Sequence, residues 1–276
     1  MCPDSTSIYN VPLNLEKEEI LDSISKKLNF KKEETNLDEW KKYISIIQKE
    51  NKPTFQIALV GKYTSLSDSY LSVTEALKHA AAANLCNVEI SYINSEVITE
   101  KNIYEKLKKF KGILIPGGFG DRGIEGKIIA AKYARENNIP FLGLCLGMHI
   151  AIIEFARNIL KLEDAHSTEF NQNTDYPVID FLPHQRQIHQ KGGTMRLGSY
   201  PCVIEKNTLL YNAYQCDQIN ERHRHRYEFN NDFKNSYEEN GGIFSGLSPD
   251  GDLVEVFEIN THKWYLGCQF HPEFKS

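Results

Sequence analysis

Cys145 has the clearest capacity for chemistry in this sequence, because of the segments on either side of it. An apolar run of strand character, 139–144, precedes it, and an apolar pattern of helical character, 146–160, follows it. Gly143 and Gly147 flank the cysteine, and glycine lets a turn close tightly. The pattern predicts a nucleophile elbow, a strained strand-to-helix turn that exposes a thiol to the amides of a helix N-terminus.

His271 and Glu273 are the predicted partners of this thiol. A cysteine nucleophile needs a base that takes its proton and a group that orients the base. His271 directly follows the apolar run 266–270 and is followed by Pro272. Glu273, two positions on, can fix the imidazole tautomer. Alone, this motif is equally typical of a surface turn, and the less favoured alternative for Cys145 is a buried core thiol. Together they favour a catalytic triad.

The glycine-rich segment 117–120 is the third candidate part of the site. We expect the amides of Gly118 and Leu146 to converge on a developing oxyanion. The alternative is a simple glycine-rich loop. A phosphate-binding loop is excluded, since G-x-x-x-x-G-K-[ST] occurs nowhere in the chain.

Composition limits the partners and the setting. The 276 residues carry a net charge of −5, which argues against nucleic acid or an anionic membrane as the main partner. No apolar run approaches the roughly 18 residues of a membrane helix, and no signal peptide is evident. Six scattered cysteines without a CxxC pair indicate reduced thiols in the cytoplasm and no metal site.

The pattern of elements changes near residue 53. Strands are predicted at 57–61, 88–93, 112–116 and 140–144, and helices at 68–83, 103–110, 126–137 and 146–160. A further pair of strands, 252–258 and 264–270, is predicted around a turn at 259–261. Alternation of this kind predicts an α/β fold with a mostly parallel central sheet, helices on both faces, and ligands beyond the carboxyl ends of the strands.

Residues 1–52 show helical spacing at 16–28 and 37–48, with no strand and no catalytic pattern. We expect a tether or the edge of another domain here, followed by one domain at 53–276.

The elbow, the glycine loop and the His271–Glu273 motif together resemble the class I glutamine amidotransferases, which have a flavodoxin-like fold. Further segments resemble the CTP synthase family within that class, namely 61–70, 117–123, 167–170, 192–198 and 221–230. The resemblance covers essentially the whole chain, and 192–198 and 221–230 are its most specific parts. Residues 9–13 are similar to the end of that family's synthetase domain, so 1–52 would be the helical linker behind it.

The resemblance implies hydrolysis of L-glutamine through a thioester on Cys145. Ammonia would pass to a synthetase domain that carries the ATP, UTP and Mg sites and aminates UTP to CTP. The glutaminase half would need no cofactor, GTP would be its allosteric activator, and the whole enzyme would be a homotetramer.

The resemblance also assigns substrate contacts. The Gly118 amide would belong to the oxyanion hole, Glu169 would meet the α-amino group and Arg226 the α-carboxylate, a match of opposite charges. The segment 193–197 would form a lid. The residues expected to line the pocket after the nucleophile are Leu146, Gly147, Met148 and His149. Taken alone, Arg226 and Glu169 are equally typical of a solvated surface.

His149 departs from the family pattern, which has glutamine at this position. Histidine offers its donor and acceptor on different atoms and can become charged. We predict that His149 still lines the pocket and that activity survives, with glutamine binding that is weaker or dependent on pH.

Two other functions fit part of the pattern. A different amidotransferase or a cysteine hydrolase, such as a γ-glutamyl hydrolase, would share the elbow, but 192–198 and 221–230 argue against it. A glutaminase-like module that regulates or assembles without turnover would not need Cys145, His271 and Glu273.

Overall fold

The chain forms two compact units in the computed structural model, which describes residues 4–5, 7–31, 34, 36–64, 66–181 and 195–275. The first unit comprises Met1–Thr54 with His79–Asn87, and the second Phe55–Lys78 with Val88–Ser276. The α-helices are α1 (Val11–Lys17), α2 (Ile20–Leu28), α3 (Asp38–Gln48), α4 (Leu71–Ala83), α5 (Ile103–Leu107), α6 (Ile124–Glu136), α7 (Leu146–Asn158), α8 (Leu209–Tyr214) and α9 (Lys234–Glu239). The β-strands are β1 (Thr54–Gly61), β2 (Asn87–Asn94), β3 (Gly112–Ile115), β4 (Phe141–Leu144), β5 (His166–Ser167), β6 (Pro177–Phe181), β7 (Arg196–Ile204), β8 (Gln218–His225), β9 (Tyr227–Phe229), β10 (Gly242–Leu247), β11 (Val254–Ile259) and β12 (Tyr265–Cys268).

The first unit is helical in its described part before Thr54, as the sequence predicts. The helix predicted over 16–28 is interrupted, because Glu19 adopts a left-handed conformation (φ 50°) between α1 and α2. An aromatic cluster packs within this unit. The indole N–H of Trp40 donates to the Tyr9 carbonyl at 2.8 Å, and the Tyr9 hydroxyl lies 3.0 Å from His79 Nε2.

The second unit is built on a mixed sheet. Within the described residues this sheet has nine strands in the order β2-β1-β3-β4-β12-β11-β10-β7-β8. The pairs β1–β3, β3–β4 and β4–β12 are parallel, whereas β12, β11, β10, β7 and β8 pair antiparallel in turn. The predicted α/β fold is confirmed, as is the pairing of the two strands near the C-terminus.

Hydrophobic cores cover both faces of this sheet. Ile113 and Ile115 of β3 pack into one core with residues of α6 and α7. Leu114, between them, packs into the other core with Val73 of α4 and Leu210 of α8. This alternation is expected for a strand with helices on either side.

The sequence analysis missed β7, β8 and β10 of the antiparallel half, and it missed β5, β6 and β9, which form a separate sheet in the order β5-β6-β9. In β8, buried and exposed residues alternate along the whole strand. His223 and His225 are buried, and Arg222 and Arg224 face the other way. The charged pattern of this segment therefore encodes a strand, and the alternative of a fully solvated basic strip is wrong.

Gly143 and Gly147 are required for close packing of backbones at the end of β4. A Cβ added to Gly143 would lie 2.4 Å from the Gly147 carbonyl oxygen, and one added to Gly147 would lie 2.2 Å from the Ile115 carbonyl oxygen. Because these neighbours are backbone atoms, neither can move aside without displacing β3, β4 or α7. The first turn of α7 is thereby fixed against the sheet.

We predict that Gly147→Ala lowers the free energy of unfolding by at least about 1–3 kcal/mol, the usual cost of overpacking. Gly112→Ala is the matched control, because its added Cβ would meet mainly the flexible end of the Ile57 side chain, at 2.9 Å. Urea unfolding of both variants checks this. Equal losses in the two variants would show that the backbone contact at Gly147 is not limiting.

Candidate active site

The nucleophile elbow is present at Cys145, between β4 and α7. Its backbone lies at φ 51° and ψ −101°, a sparsely populated conformation for a residue with a side chain. The Cys145 amide donates to the Cys268 carbonyl at 2.7 Å, which ties the elbow to the neighbouring strand β12. The sulfur therefore stands at the carboxyl end of the sheet, beside the free amides of a helix N-terminus.

His271 and Glu273 meet the thiol from the end of β12. The imidazole Nδ1 lies 2.8 Å from Glu273 Oε1, and the His271 amide donates to the Arg222 carbonyl at 2.8 Å. Burial lowers the pKa of His271, but hydrogen bonds with Cys145 and Glu273 outweigh it and raise this pKa to about 10. An imidazolium beside the sulfur is thus favoured at neutral pH.

Gly117 makes room for this pair. A Cβ at Gly117 would lie 2.8 Å from His271 Cε1 and 3.6 Å from Cys145 Cβ. The glycine loop therefore runs directly over the thiol and the imidazole. Gly118 follows it and lines the cavities on both sides of Cys145.

Two recesses meet at Cys145, Gly118 and Phe119. The outer recess, of about 350 Å³, also contains His271 and Glu273, and it is bounded by Tyr63, 68–73, 116–117, Arg224 and Phe274. The inner recess is narrower, about 40 Å³, and is also lined by Leu146, His149, Glu169, His225, Arg226 and Tyr227. Cys145, which is only 4% exposed, therefore borders both recesses.

Opposite charges lie in the inner recess. Glu169 Oε1 accepts a hydrogen bond from the Gly120 amide at 3.1 Å. Burial raises the pKa of this carboxyl, although that hydrogen bond and the nearby cations act to lower it. The Arg226 Nε is buried and has no hydrogen-bond partner among the described residues. One carboxylate and one guanidinium suit a zwitterionic amino acid.

His149 lines the inner recess, where the sequence placed it. Its Nε2 lies 2.8 Å from Gln269 Oε1. Burial lowers the pKa of His149 to about 4, outweighing hydrogen bonds that favour the charged form. The imidazole is therefore neutral at neutral pH, and any change of charge falls in the acid range.

Two predicted pocket residues do not line either recess. Gly147 packs against the Ile115 carbonyl, and the side chain of Met148 is fully buried beside Gly267. Both follow from the tight contact of α7 with the sheet. Of the predicted lid, 193–194 lies outside the described residues. Arg196 begins β7 and is buried, so a lid at that position is wrong.

A buried polar cluster supports β8, the strand that leads to Arg226. The Arg196 guanidinium donates to Glu228 at 3.2 Å and to Glu255 at 2.7 Å. Burial raises the pKa of Glu228 to about 8, despite the opposing effect of Arg196. His223 Nδ1 lies 2.9 Å from His225 Nε2, and burial lowers the pKa of both imidazoles.

Sequence reasoning missed Gln269, His225 and Tyr227. Gln269 is fully buried and its amide nitrogen lies 3.7 Å from the Cys145 sulfur. Its signal was a polar residue inside the apolar run 266–270. The alternating pattern of 222–226 could have identified His225 as an inward-facing residue.

The described residues contain no cluster of histidine, cysteine and acidic side chains that could hold a metal ion. Cys86, Cys145, Cys202, Cys216 and Cys268 are free thiols. Within the same residues, no helix has the length and hydrophobicity needed to cross a membrane.

Comparison with known proteins gives consistent matches. The family model for glutamine amidotransferase class-I matches residues 65–276. CTP synthase of Bacillus velezensis is 51% identical over 100% of this chain and 51% of its own length. CTP synthase of Clostridium kluyveri is 55% identical over 99% of this chain and 51% of its own length. The chain thus spans about half the length of these relatives.

A solved structure matches as well. The glutaminase domain of Trypanosoma brucei CTPS with bound acivicin aligns with a TM-score of 0.75 at 36% sequence identity. The alignment covers 80% of this chain and 86% of that one. The similarity therefore extends from sequence to the arrangement of the elements.

We predict that His149→Gln protects the fold against acid. As pH falls below the ordinary histidine value of 6.5, the unfolded chain takes up a proton that folded His149 refuses until about 4, so stability falls across this range. A glutamine side chain at position 149 takes up no proton in either the folded or the unfolded chain. The variant should gain about 1–2 kcal/mol relative to the parent between neutral pH and pH about 5, measured by urea unfolding. If the difference in free energy of unfolding between the two proteins is the same at neutral pH and at pH about 5, the imidazole is not buried in its neutral form.

Proposed function

Since this chain belongs to the class I glutamine amidotransferase family, we propose that it hydrolyses the side-chain amide of L-glutamine to glutamate and ammonia. The observation that carries the proposal is the strained Cys145 elbow, which lines the same recess as a His271 imidazole that Glu273 holds at 2.8 Å. Its strongest support beyond geometry is the match of residues 65–276 to the family model.

The first half of the reaction forms a thioester. The Cys145 sulfur attacks the side-chain carbonyl carbon of glutamine, and the carbonyl oxygen becomes an oxyanion near the Gly118 and Leu146 amides. His271 then gives its proton to the nitrogen as the C–N bond breaks. The products of this half are free ammonia and a glutamyl thioester.

The second half releases glutamate. Neutral His271 takes a proton from water, the resulting hydroxide equivalent attacks the thioester carbon, and the C–S bond breaks. Glu273 holds the imidazole in one tautomer through both halves. Cys145 returns to the thiolate, paired with a protonated His271.

The inner recess orients the substrate. Glu169 receives the α-ammonium and Arg226 the α-carboxylate, while Leu146 and His149 enclose the side chain beside the sulfur. Because both groups are on the α-carbon, Glu169 and Arg226 together hold that end of glutamine and fix the direction in which it enters. The side-chain amide then points toward Cys145, where the two recesses meet.

The wider proposal is that this chain is the glutaminase half of a CTP synthase. Its support is the sequence identity of 51% and 55% to two CTP synthases, over 100% and 99% of this chain. In this proposal residues 1–52 are the linker to a synthetase domain, and that domain uses ATP, Mg and the released ammonia to aminate UTP. GTP activates the glutaminase half, the assembly is a homotetramer, and the free thiols fit the cytoplasm.

Covalent labelling tests the nucleophile without requiring turnover. A glutamine analogue with a diazoketone in place of the amide should add to Cys145, and the modified peptide is identified by mass spectrometry. Cys145→Ser should lose the label and also at least about 10³-fold of glutaminase activity. Cys216→Ser is the matched control and should retain both. Labelling elsewhere, with Cys145 unmodified, would favour a module that binds or regulates without turnover.

Arg226→Lys should raise the KM for glutamine by about 10- to 100-fold and change kcat little, because a charged hydrogen bond in binding is weakened. Glutamate release at varied glutamine concentration measures both constants. Arg157→Lys, on α7 outside either recess, is the control. A fall in kcat at unchanged KM would remove Arg226 from its proposed role at the α-carboxylate.

A further inference from the structure

Gln269 is a fully buried polar side chain immediately beyond β12, between Cys145 and His149. Its backbone amide donates to the Glu255 carbonyl at 2.8 Å, so the main chain is fixed at this point. A buried amide is costly unless its polar atoms are paired. Both ends of this side chain are paired, and both partners belong to the candidate active site.

The amide has a defined orientation. Its nitrogen donates to the Cys145 sulfur at 3.7 Å, and its oxygen lies 2.8 Å from His149 Nε2. The reversed orientation would place the amide oxygen against the attacking sulfur, which carries negative charge in the proposed reaction, and this is electrostatically unfavourable. The orientation with the N–H groups toward sulfur therefore requires a donor at His149 Nε2.

His149 supplies that donor. Burial keeps the imidazole neutral, so only one of its nitrogens carries a proton. Nδ1 makes no hydrogen bond of good geometry with a described residue, and the Tyr227 carbonyl that it faces already lies 3.2 Å from His225 Nδ1. We therefore assign the proton to Nε2, where it donates to Gln269 at 2.8 Å.

We propose that Gln269 is a further catalytic residue, which stabilises the attacking sulfur through its amide N–H, and that His149 is the positioning residue that sets the amide orientation. Gln269 adds no charge and takes no proton, so it can stabilise negative sulfur without competing with His271. This inference rests on the proposed function only in making Cys145 the nucleophile.

Alkylation of Cys145 by iodoacetamide tests the proposal, because this reagent needs no glutamine site. In Gln269→Leu the rate at neutral pH should fall by about 10-fold or more, the usual value of a hydrogen bond to a charged group. Gln269→Glu should lose more than Gln269→Leu, and its pH profile should move to higher pH, because a carboxylate repels negative sulfur. A purely structural role predicts the reverse order, since glutamate has the shape of glutamine.

Two variants at His149 test the orientation from a distance. His149→Gln keeps a donor for Gln269 and should alkylate within about 3-fold of the parent, whereas His149→Leu removes it and should be slower. The half-buried thiols of Cys86 and Cys216, followed in the same digests, are internal references and should not change. Thermal unfolding of each variant shows which are folded.

Alkylation of folded Gln269→Leu at the parental rate would overturn the proposal, as would equal rates for the two His149 variants. Failure of the parent protein to hydrolyse glutamine would overturn the proposed function instead. In that case a slower alkylation of Cys145 in Gln269→Leu still supports the contact between Gln269 and the sulfur. The two outcomes are therefore distinguishable.

Discussion

The contact between the backbones of β3, β4 and the first turn of α7 positions the rest of the site. Glycine at 143 and 147 lets these segments approach within distances that any Cβ would prevent. The approach holds Cys145 at φ 51° and ψ −101°, a conformation that costs about 1–3 kcal/mol when nothing supports it. The register Cys268↔Leu144 between β12 and β4 then carries the chain directly to His271, beside the thiol.

Histidines near the sulfur differ sharply in their protonation, although burial acts on all of them in the same direction. Burial lowers the pKa of His149 to about 4 and that of His223 to about 3, whereas His271 is raised to about 10. The difference comes from partners, because only His271 has both a thiol and the Glu273 carboxyl in reach. Contrasting environments of this kind indicate which titratable group handles the proton.

The sequence allowed prediction of the parallel half of the sheet and of the placing of Cys145 and His271 at the ends of strands, because these depend on local patterns. The apolar runs before Cys145 and His271 end strands that lie side by side. The antiparallel half was missed, since no apolar run marks β8, where polar and charged residues occupy both faces and His223 and His225 are buried. Gln269 was missed for a different reason. Its role depends on His149, 120 positions away, and no local spacing reports such a contact.

An imidazole at position 149 is compatible with the site because of how hydrogen bonds are distributed around the sulfur. Gln269 needs one donor on its oxygen, and a neutral imidazole provides this as an amide would. The same burial that makes the imidazole neutral also strengthens each hydrogen bond in the line from His149 through Gln269 to Cys145. A charged imidazole would add a second cation beside the inner recess, near Arg226, and would oppose the binding of the α-ammonium group. Burial of His149 therefore serves two purposes, since it orients the amide of Gln269 and leaves the charges of Glu169 and Arg226 to select the substrate.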